Sequence, residues 1–258
     1  MQIPDGGELR LMRRGAELSI MSGAIELMNS RLSGSEEALA TLSCGPLRGA
    51  RPRVLIGGLG MGFTLRAALA ALPGSAEVVI AELVPAVIAW AHGPMAGLFA
   101  GSLEDPRVTI READVADLIA VGREAYDAIL LDVDNGPGGL NRAANDGLYS
   151  LAGLTTAAAA LKPGGVLAVW SATQDGRFVQ RLRQSGYTVE EQHVRATGGR
   201  RGARHVIWLA RRPPCVLAAA DLDRPSLALS RTCPPNARKG WKSQSHRRGR
   251  PVNVRVPE

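Results

Sequence analysis

The sequence has few of the residues that mark secreted, metal-binding or membrane-spanning proteins. Its three cysteines, Cys44, Cys215 and Cys233, are widely spaced and form no C-x-x-C pair, so neither a disulfide framework nor a zinc site is predicted. No apolar run approaches the roughly 20 residues of a membrane span, and the first residues lack the apolar centre of a signal peptide. We therefore expect a cytoplasmic protein without a metal ion.

Aromatic residues are also scarce, at 4%, but 45% of the 258 residues are hydrophobic. This share is enough for the core of one sizeable α/β domain with a small accessory region. The net charge of +7 would favour nucleic-acid binding if it were spread over that domain. Eleven Lys or Arg residues against three acids from Arg211 onward place all of it in the tail, and residues 1–210 carry about −1. Nucleic acid is therefore not an expected partner of the globular part.

Composition divides the chain into three regions. Residues 1–50 form a small N-terminal β region, because residues 8–31 alternate polar and apolar side chains with breaks at Gly15 and Gly23. Residues 51–212 form the main domain. Residues 213–258 are basic and proline-rich without periodicity, and we expect them to be disordered.

Strands and helices alternate through the main domain. Repeated β-α units predict a parallel sheet with helices on both faces. The last two strands are joined by a short loop and must pair as an antiparallel hairpin. We thus predict an α/β fold: a doubly wound, mostly parallel, seven-stranded Rossmann-like sheet ending in an antiparallel hairpin. Its strands are expected at 54–58, 77–83, 107–114, 126–133, 166–172, 187–196 and 205–212.

The turn after the first of these strands is rich in glycine. Gly58, Gly60 and Gly62 allow a tight turn and close approach of a ligand to the backbone, and the following helix begins with free N–H groups. A GxGxG pattern alone fits a dinucleotide, an S-adenosyl ligand or a turn that binds nothing. Glu82, about 20 residues further on, ends the second strand and is predicted to accept hydrogen bonds from ribose hydroxyls.

Two more acids end neighbouring strands. Asp114 follows the third strand and is a candidate for the exocyclic amine of adenine, with Ala113 packing on the base. Asp132 ends the fourth strand. Ligands of open α/β sheets gather at the carboxyl ends of the strands, so these residues and the glycine turn are predicted to form one binding edge.

These motifs resemble the spermidine synthase-like, or polyamine aminopropyltransferase, family over roughly residues 8–212. The resemblance rests on the small meander, the Asp105-Pro106 pair and the segments SEEALA, VLIGGLGMGFTLRAAL, VVIAELVPAVIAWA, YDAILLDVDNGPGG and LKPGGVLAVWSA. It implies a class I methyltransferase fold and a donor, decarboxylated S-adenosylmethionine, whose aminopropyl group passes to an amine such as putrescine. It also implies a homodimer.

The resemblance assigns catalytic roles to the loop after the fourth strand. That loop is shorter here than is usual in the family. With a one-residue deletion Asp134 takes the place of the proton acceptor and Asp132 faces the donor, which is the alignment we prefer; without it Asn135 falls there, and an amide cannot act as a base. Tyr149 matches a tyrosine near the amine site, or is a core aromatic.

One departure keeps other functions open. The family's glycine loop commonly carries an acid where this chain has Gly60, and that acid is linked to the donor's aminopropyl amine. Two alternatives therefore stand beside aminopropyl transfer. One is a methyltransferase that uses ordinary S-adenosylmethionine on the same fold, and the other is a non-catalytic family member.

Overall fold

The structure, a computed structural model, describes residues 8–133, 136–137, 146–197, 199 and 202–214. The described part begins with a small antiparallel sheet in the order β1–β2–β3, which confirms the predicted meander. Its strands are β1 (Leu9–Arg14), β2 (Glu17–Ser22) and β3 (Ile25–Asn29). Turns at Gly15 and Gly23, both with positive φ, separate them.

The main domain is a seven-stranded sheet in the order β6–β5–β4–β7–β8–β10–β9. Strands β4 to β8 are parallel, and β10 lies between β8 and β9, antiparallel to both. This is the predicted fold, including its antiparallel terminal hairpin. The strands are β4 (Arg53–Gly57), β5 (Glu77–Glu82), β6 (Val108–Glu112), β7 (Tyr126–Leu131), β8 (Leu161–Ser171), β9 (Thr188–Arg195) and β10 (Arg204–Arg211).

Helices cover both faces of this sheet. Two separate clusters of buried residues fill the spaces between the sheet and the elements that cover it. Alternation along the buried strands divides the core: Leu55 and Ile129 belong to one cluster, and Ile56 and Leu130 to the other. Leu18 and other residues of the small sheet join the second of these clusters. The helices are α1 (Gly34–Cys44), α2 (Phe63–Ala71), α3 (Pro85–His92), α4 (Ala96–Phe99), a 3-10 turn (Ser102–Glu104), α5 (Val115–Val121), α6 (Asp146–Tyr149), α7 (Leu151–Ala160) and α8 (Gly176–Gln184).

The alanine-rich segment differs from its predicted form. The alanine-rich sequence predicts one helix from Asp146 to Leu161. The structure has two, because Ser150 leaves the helical conformation and its hydroxyl accepts a hydrogen bond from the Gly153 N–H (3.1 Å). Strand β8 also begins earlier than predicted, at Leu161, which pairs with Tyr126. Leu161 already has an extended backbone, and the proline at 163 disfavours helical geometry at Lys162, directly before it.

The predicted tail, residues 213–258, lies outside the described residues from Cys215 onward, so its disorder stays a prediction. Within the described ranges, no helix is both long and apolar enough to cross a membrane.

Candidate active site

The carboxyl ends of four parallel strands meet at one edge of the large sheet. The loop after β4 carries the three glycines, β5 ends at Glu82, Asp114 follows β6, and Asp132 follows β7. The structure thus brings together every residue that the sequence assigned to the nucleoside donor.

Two positions of the glycine loop have backbone conformations and close contacts that only glycine tolerates. Gly58 has a φ of +91°, and a Cβ there would lie 2.5 Å from the Asp132 carbonyl oxygen. Gly62 has a φ of +79°, and a Cβ there would lie 2.4 Å from the Phe99 ring. Both contacts are too short for any side chain, so these two positions need glycine for conformation and for space. The loop is therefore packed directly against the end of β7.

Glu82 ties the end of β5 to the glycine loop. Its Oε2 accepts a hydrogen bond from the Leu59 N–H (2.9 Å), and its Oε1 accepts one from the Val84 N–H (2.8 Å). The side chain is buried, and this burial raises its pKa, while the hydrogen bonds from backbone N–H groups oppose the shift. The backbone N–H groups of Gly60 and Leu83 also contribute to this opposing effect, so the carboxylate faces several donors at the edge where a ligand would bind.

Asp114 has a structural role besides the predicted one. Its Oδ1 accepts a hydrogen bond from the Ala116 N–H (2.8 Å) and so caps the amino end of α5. Ala113 is fixed next to it, because its N–H donates to the Glu82 carbonyl oxygen (3.1 Å). The cap holds the Asp114 carboxylate at the edge with Oδ2 able to accept from a base.

Asp132 is partly buried and receives a hydrogen bond from Thr64 on the first turn of α2 (Oγ1 to Oδ2, 2.6 Å). Burial, followed by the nearby charge of Glu36, raises the pKa of Asp132 to about 7, and the Thr64 hydroxyl opposes this shift. Sequence reasoning missed Thr64. The available signal was a hydroxyl directly after the glycine loop, in an otherwise apolar helix start.

Two neighbouring cavities open at this edge. One, of about 140 Å³, is lined by the donor-side residues: Gly58, Gly60, Glu82, Ala113, Asp114 and Asp132. The other, of about 110 Å³, is lined by Glu36, Trp170, Asp132 and the glycine loop. Leu27, Met28, Gly60 and Asp132 line both cavities. They are therefore two parts of one candidate site, which we call the nucleoside cavity and the acid cavity.

Residues far apart in sequence hold the side chains that line the acid cavity. Ser35 Oγ donates to Glu36 Oε2 (2.7 Å), and His205 Nδ1 lies 2.9 Å from the same hydroxyl. The His205 ring packs edge-on against Trp170, with centroids 4.8 Å apart. The SEEALA motif pointed to Glu36 or Glu37 only by position, and nothing in the sequence pointed to His205 or Trp170.

The other predicted catalytic residues are placed less directly. Asp134 and Asn135 lie outside the described residues, so the choice between them stays a prediction. Tyr149 is buried and packs edge-on against Phe178, with ring centroids 5.6 Å apart. It does not line either cavity, as far as the described residues define them. Its proposed role near an amine therefore also stays a prediction.

A larger hollow, of about 1070 Å³, lies at the amino-terminal edge of the sheet and is lined by several arginines. Two of these arginines pair with acids: Arg107 with Asp105 (2.8 Å) and Arg51 with Glu77 (2.7 Å). We therefore place the candidate site at the carboxyl edge, where the acids converge. Over the described ranges of the chain, no group of three or more His, Cys, Asp or Glu side chains could hold a metal ion.

The raised pKa of Asp132 predicts a pH-dependent stability. Between about pH 4 and pH 7 the folded protein keeps a proton on this carboxyl that the unfolded chain has released. The stabilisation is complete below this range and is lost as the pH rises through about 7. Asp132→Asn carries no charge at any pH and its amide oxygen can still accept from Thr64. We expect it to be more stable than the wild type at about pH 8 in urea unfolding, with a difference that shrinks towards about pH 5.

The matched control for this experiment is Asp117→Asn, an exposed acid on α5, whose stability should follow the wild type across the same range. A constant difference between Asp132→Asn and the wild type at all pH values would contradict the raised pKa.

Comparison with known proteins finds a relative in sequence and neighbours in structure. No family model matches the chain. The polyamine aminopropyltransferase of Mycobacterium tuberculosis is 31% identical over 198 residues, covering 72% of this chain and 36% of that protein. The chain therefore spans about a third of the length of the curated relative.

Solved structures show the fold. Spermidine synthase from Thermotoga maritima superimposes with a TM-score of 0.63 at 20% identity, over 81% of this chain and 71% of that one. A Burkholderia thailandensis methyltransferase, 1,6-didemethyltoxoflavin-N1-methyltransferase with bound S-adenosylhomocysteine, has a TM-score of 0.50 at 19% identity, over 70% of this chain and 79% of that one.

Proposed function

Because this chain is related in sequence to the polyamine aminopropyltransferases and has the class I methyltransferase fold, we propose that it transfers an aminopropyl group from decarboxylated S-adenosylmethionine to a polyamine such as putrescine. The observation that carries this proposal is the joined pair of cavities, one lined by residues suited to a nucleoside and the other by two acids. An acidic cavity suits an amine better than it suits an anionic ligand.

The residues of the nucleoside cavity would hold the donor in a fixed orientation. Glu82 would accept hydrogen bonds from the ribose hydroxyls, as a carboxylate at this strand end does in nucleotide-binding folds. Asp114 would accept from the adenine amine, and Ala113 would pack on the base. The glycine loop brings backbone close to the ligand without interference from Cβ atoms.

The proposed reaction joins the amine nitrogen to the aminopropyl carbon next to the sulfonium. The nitrogen lone pair forms the new bond, the carbon–sulfur bond breaks, and its electrons neutralise the sulfur, so that methylthioadenosine leaves. The amine must be neutral to attack, whereas a primary amine has a pKa near that of lysine, about 10.4. A carboxylate that accepts its proton therefore accelerates the reaction. We assign this role to Asp134, and place Asp132 at the donor.

The proposal is tested by incubating the purified protein with labelled putrescine and decarboxylated S-adenosylmethionine. We expect equal amounts of spermidine and methylthioadenosine, measured by chromatography, because one transfer yields one of each. A reaction without the donor serves as the control. Failure to form either product with putrescine or other short diamines would overturn aminopropyl transfer.

Gly60 is the observation that favours a second candidate, a methyltransferase that uses ordinary S-adenosylmethionine. The loop carries no acid at this position. A solved methyltransferase structure also superimposes on most of the chain. Formation of S-adenosylhomocysteine in place of methylthioadenosine would identify this activity. A homodimer and a cytoplasmic location are part of the main proposal, on the family resemblance.

A further inference from the structure

Two acids from different parts of the chain line the acid cavity. Glu36 lies on the first turn of α1, and Asp132 follows β7. Both side chains line the same cavity, and the charge of Glu36 helps to raise the pKa of Asp132. The pKa of Glu36 is itself raised by burial. The charged forms of two such neighbouring acids, whose pKa values are raised, are stabilised by a cation placed between them.

Each of these acids is held by a hydroxyl on one oxygen. Ser35 donates to Glu36 Oε2, and Thr64 donates to Asp132 Oδ2. The other oxygen of each carboxylate, Oε1 or Oδ1, can accept a hydrogen bond from a ligand. Hydroxyl donors fix the direction of each carboxyl group, and a cation bound between the two would favour their charged forms.

Trp170 gives a second and independent indication of a ligand. The residue is only 9% exposed and lines the same cavity as the two acids. Its indole Nε1 is buried and has no hydrogen-bond partner among the described residues. Because the indole N–H is a donor, it requires an acceptor atom of the ligand or a water molecule and not the ammonium group. The aromatic ring, as a wall of the cavity, is what attracts an alkylammonium group.

Met28 lies beside the position where the glycine loop would carry an acid. A Cβ at Gly60 would lie 3.2 Å from the Met28 sulfur, so a side chain at position 60 would press on β3. Glu36 lines the cavity from α1. The charge missing at Gly60 is thus present in the cavity through another residue.

We propose that Glu36 and Asp132 together bind the primary ammonium group at the end of the donor's aminopropyl arm, and that Ser35 and His205 position Glu36 for this contact. The inference rests on the proposed function, because it assumes a donor with such an arm. Among the described residues that line the acid cavity, none is basic. The carboxylate of ordinary S-adenosylmethionine would therefore be repelled there, and the decarboxylated donor preferred.

Calorimetry with two ligands tests this assignment. Decarboxylated S-adenosylmethionine carries the arm, whereas methylthioadenosine has the same nucleoside without it. In Glu36→Gln we expect affinity for the first ligand to fall by about 10- to 100-fold, as for the loss of a hydrogen bond to a charged group, and affinity for the second to stay within about twofold. The matched control is Glu37→Gln, the exposed neighbour on the same helix, which should change neither affinity.

The positioning role of His205 is tested by two further variants. His205→Phe keeps a ring beside Trp170 but removes the nitrogen that faces Ser35, and should weaken binding of the decarboxylated donor by about threefold to tenfold. His205→Asn replaces that nitrogen and should restore the affinity. Methylthioadenosine should bind both variants like the wild type, which separates positioning from a general loss of structure.

Specific outcomes would overturn the inference. An equal loss of affinity for both ligands in Glu36→Gln would show that Glu36 only supports the cavity wall, and unchanged affinity for both would show that it does not meet the arm. Spermidine formation at the wild-type rate in Glu36→Gln would contradict this inference and leave the proposed function intact. Glu36-dependent donor binding without spermidine formation would contradict the proposed function alone.

Discussion

Glu82→Gln is expected to weaken binding of the donor nucleoside by about 100-fold. Both oxygens of Glu82 accept from backbone N–H groups, of Leu59 and Val84, and both would also accept from the ribose. Glutamine has one acceptor oxygen, so its NH₂ group would face a backbone donor at a buried position. A lost hydrogen bond to a charged group and an unsatisfied buried donor each cost about 1 to 3 kcal/mol. Calorimetry with methylthioadenosine measures the effect.

The control lies on the same strand. Glu77 begins β5 at the opposite edge and pairs with Arg51 and Arg53 at the surface, so Glu77→Gln should bind methylthioadenosine like the wild type. Glu82→Gln should weaken the decarboxylated donor and methylthioadenosine equally, since both carry the ribose. A loss confined to the donor with the arm would place Glu82 beside the arm and contradict its assignment to the ribose.

Asp134→Asn is expected to lower turnover by about 10²- to 10⁴-fold, the usual contribution of a positioned proton acceptor. The substitution keeps the size of the side chain and removes its ability to take a proton from the amine. Affinity for methylthioadenosine should stay within about twofold, because the prediction places Asp134 with the amine. The measurements are initial rates of spermidine formation and calorimetry on the same preparation.

Asn135→Ala is the companion variant, because Asn135 takes the same place if the loop is aligned without the deletion. Under our alignment it should retain most of the activity. A large loss of rate in Asn135→Ala with a small one in Asp134→Asn would reverse the alignment. Loss of methylthioadenosine binding in Asp134→Asn would move that residue to the donor.

The fold and the nucleoside side of the site could be predicted because local patterns determine them. Buried parallel strands are short apolar runs, and their ends are marked where a polar residue or a glycine follows. Glu82, Asp114 and Asp132 each occupy such a position, and the parallel arrangement alone brings them to one edge. Their positions at one edge of the sheet could therefore be predicted without knowledge of side-chain packing.

The acid cavity could not be predicted, because it depends on contacts between distant segments. Ser35 and His205 are 170 residues apart and meet only once α1 packs on the large sheet. Met28 and Gly60 come into contact because the small sheet packs at this edge. The hydrophobic periodicity of the sequence does not predict that packing. A sequence pattern reports which face of an element is buried, and leaves open which other element covers it.

The place of β10 in the sheet also has a consequence for synthesis on the ribosome. Chains emerge from the amino end, and domains generally fold as units. Because β10 lies between β8 and β9, the edge of β8 has no neighbour on that side until Arg204–Arg211 has been made. His205 belongs to that strand. The nascent chain would thus contain the described residues that line both cavities before it has the contact between His205 and Ser35. A chain stalled on the ribosome before residue 204 should expose the β8 edge, open to pairing with other chains.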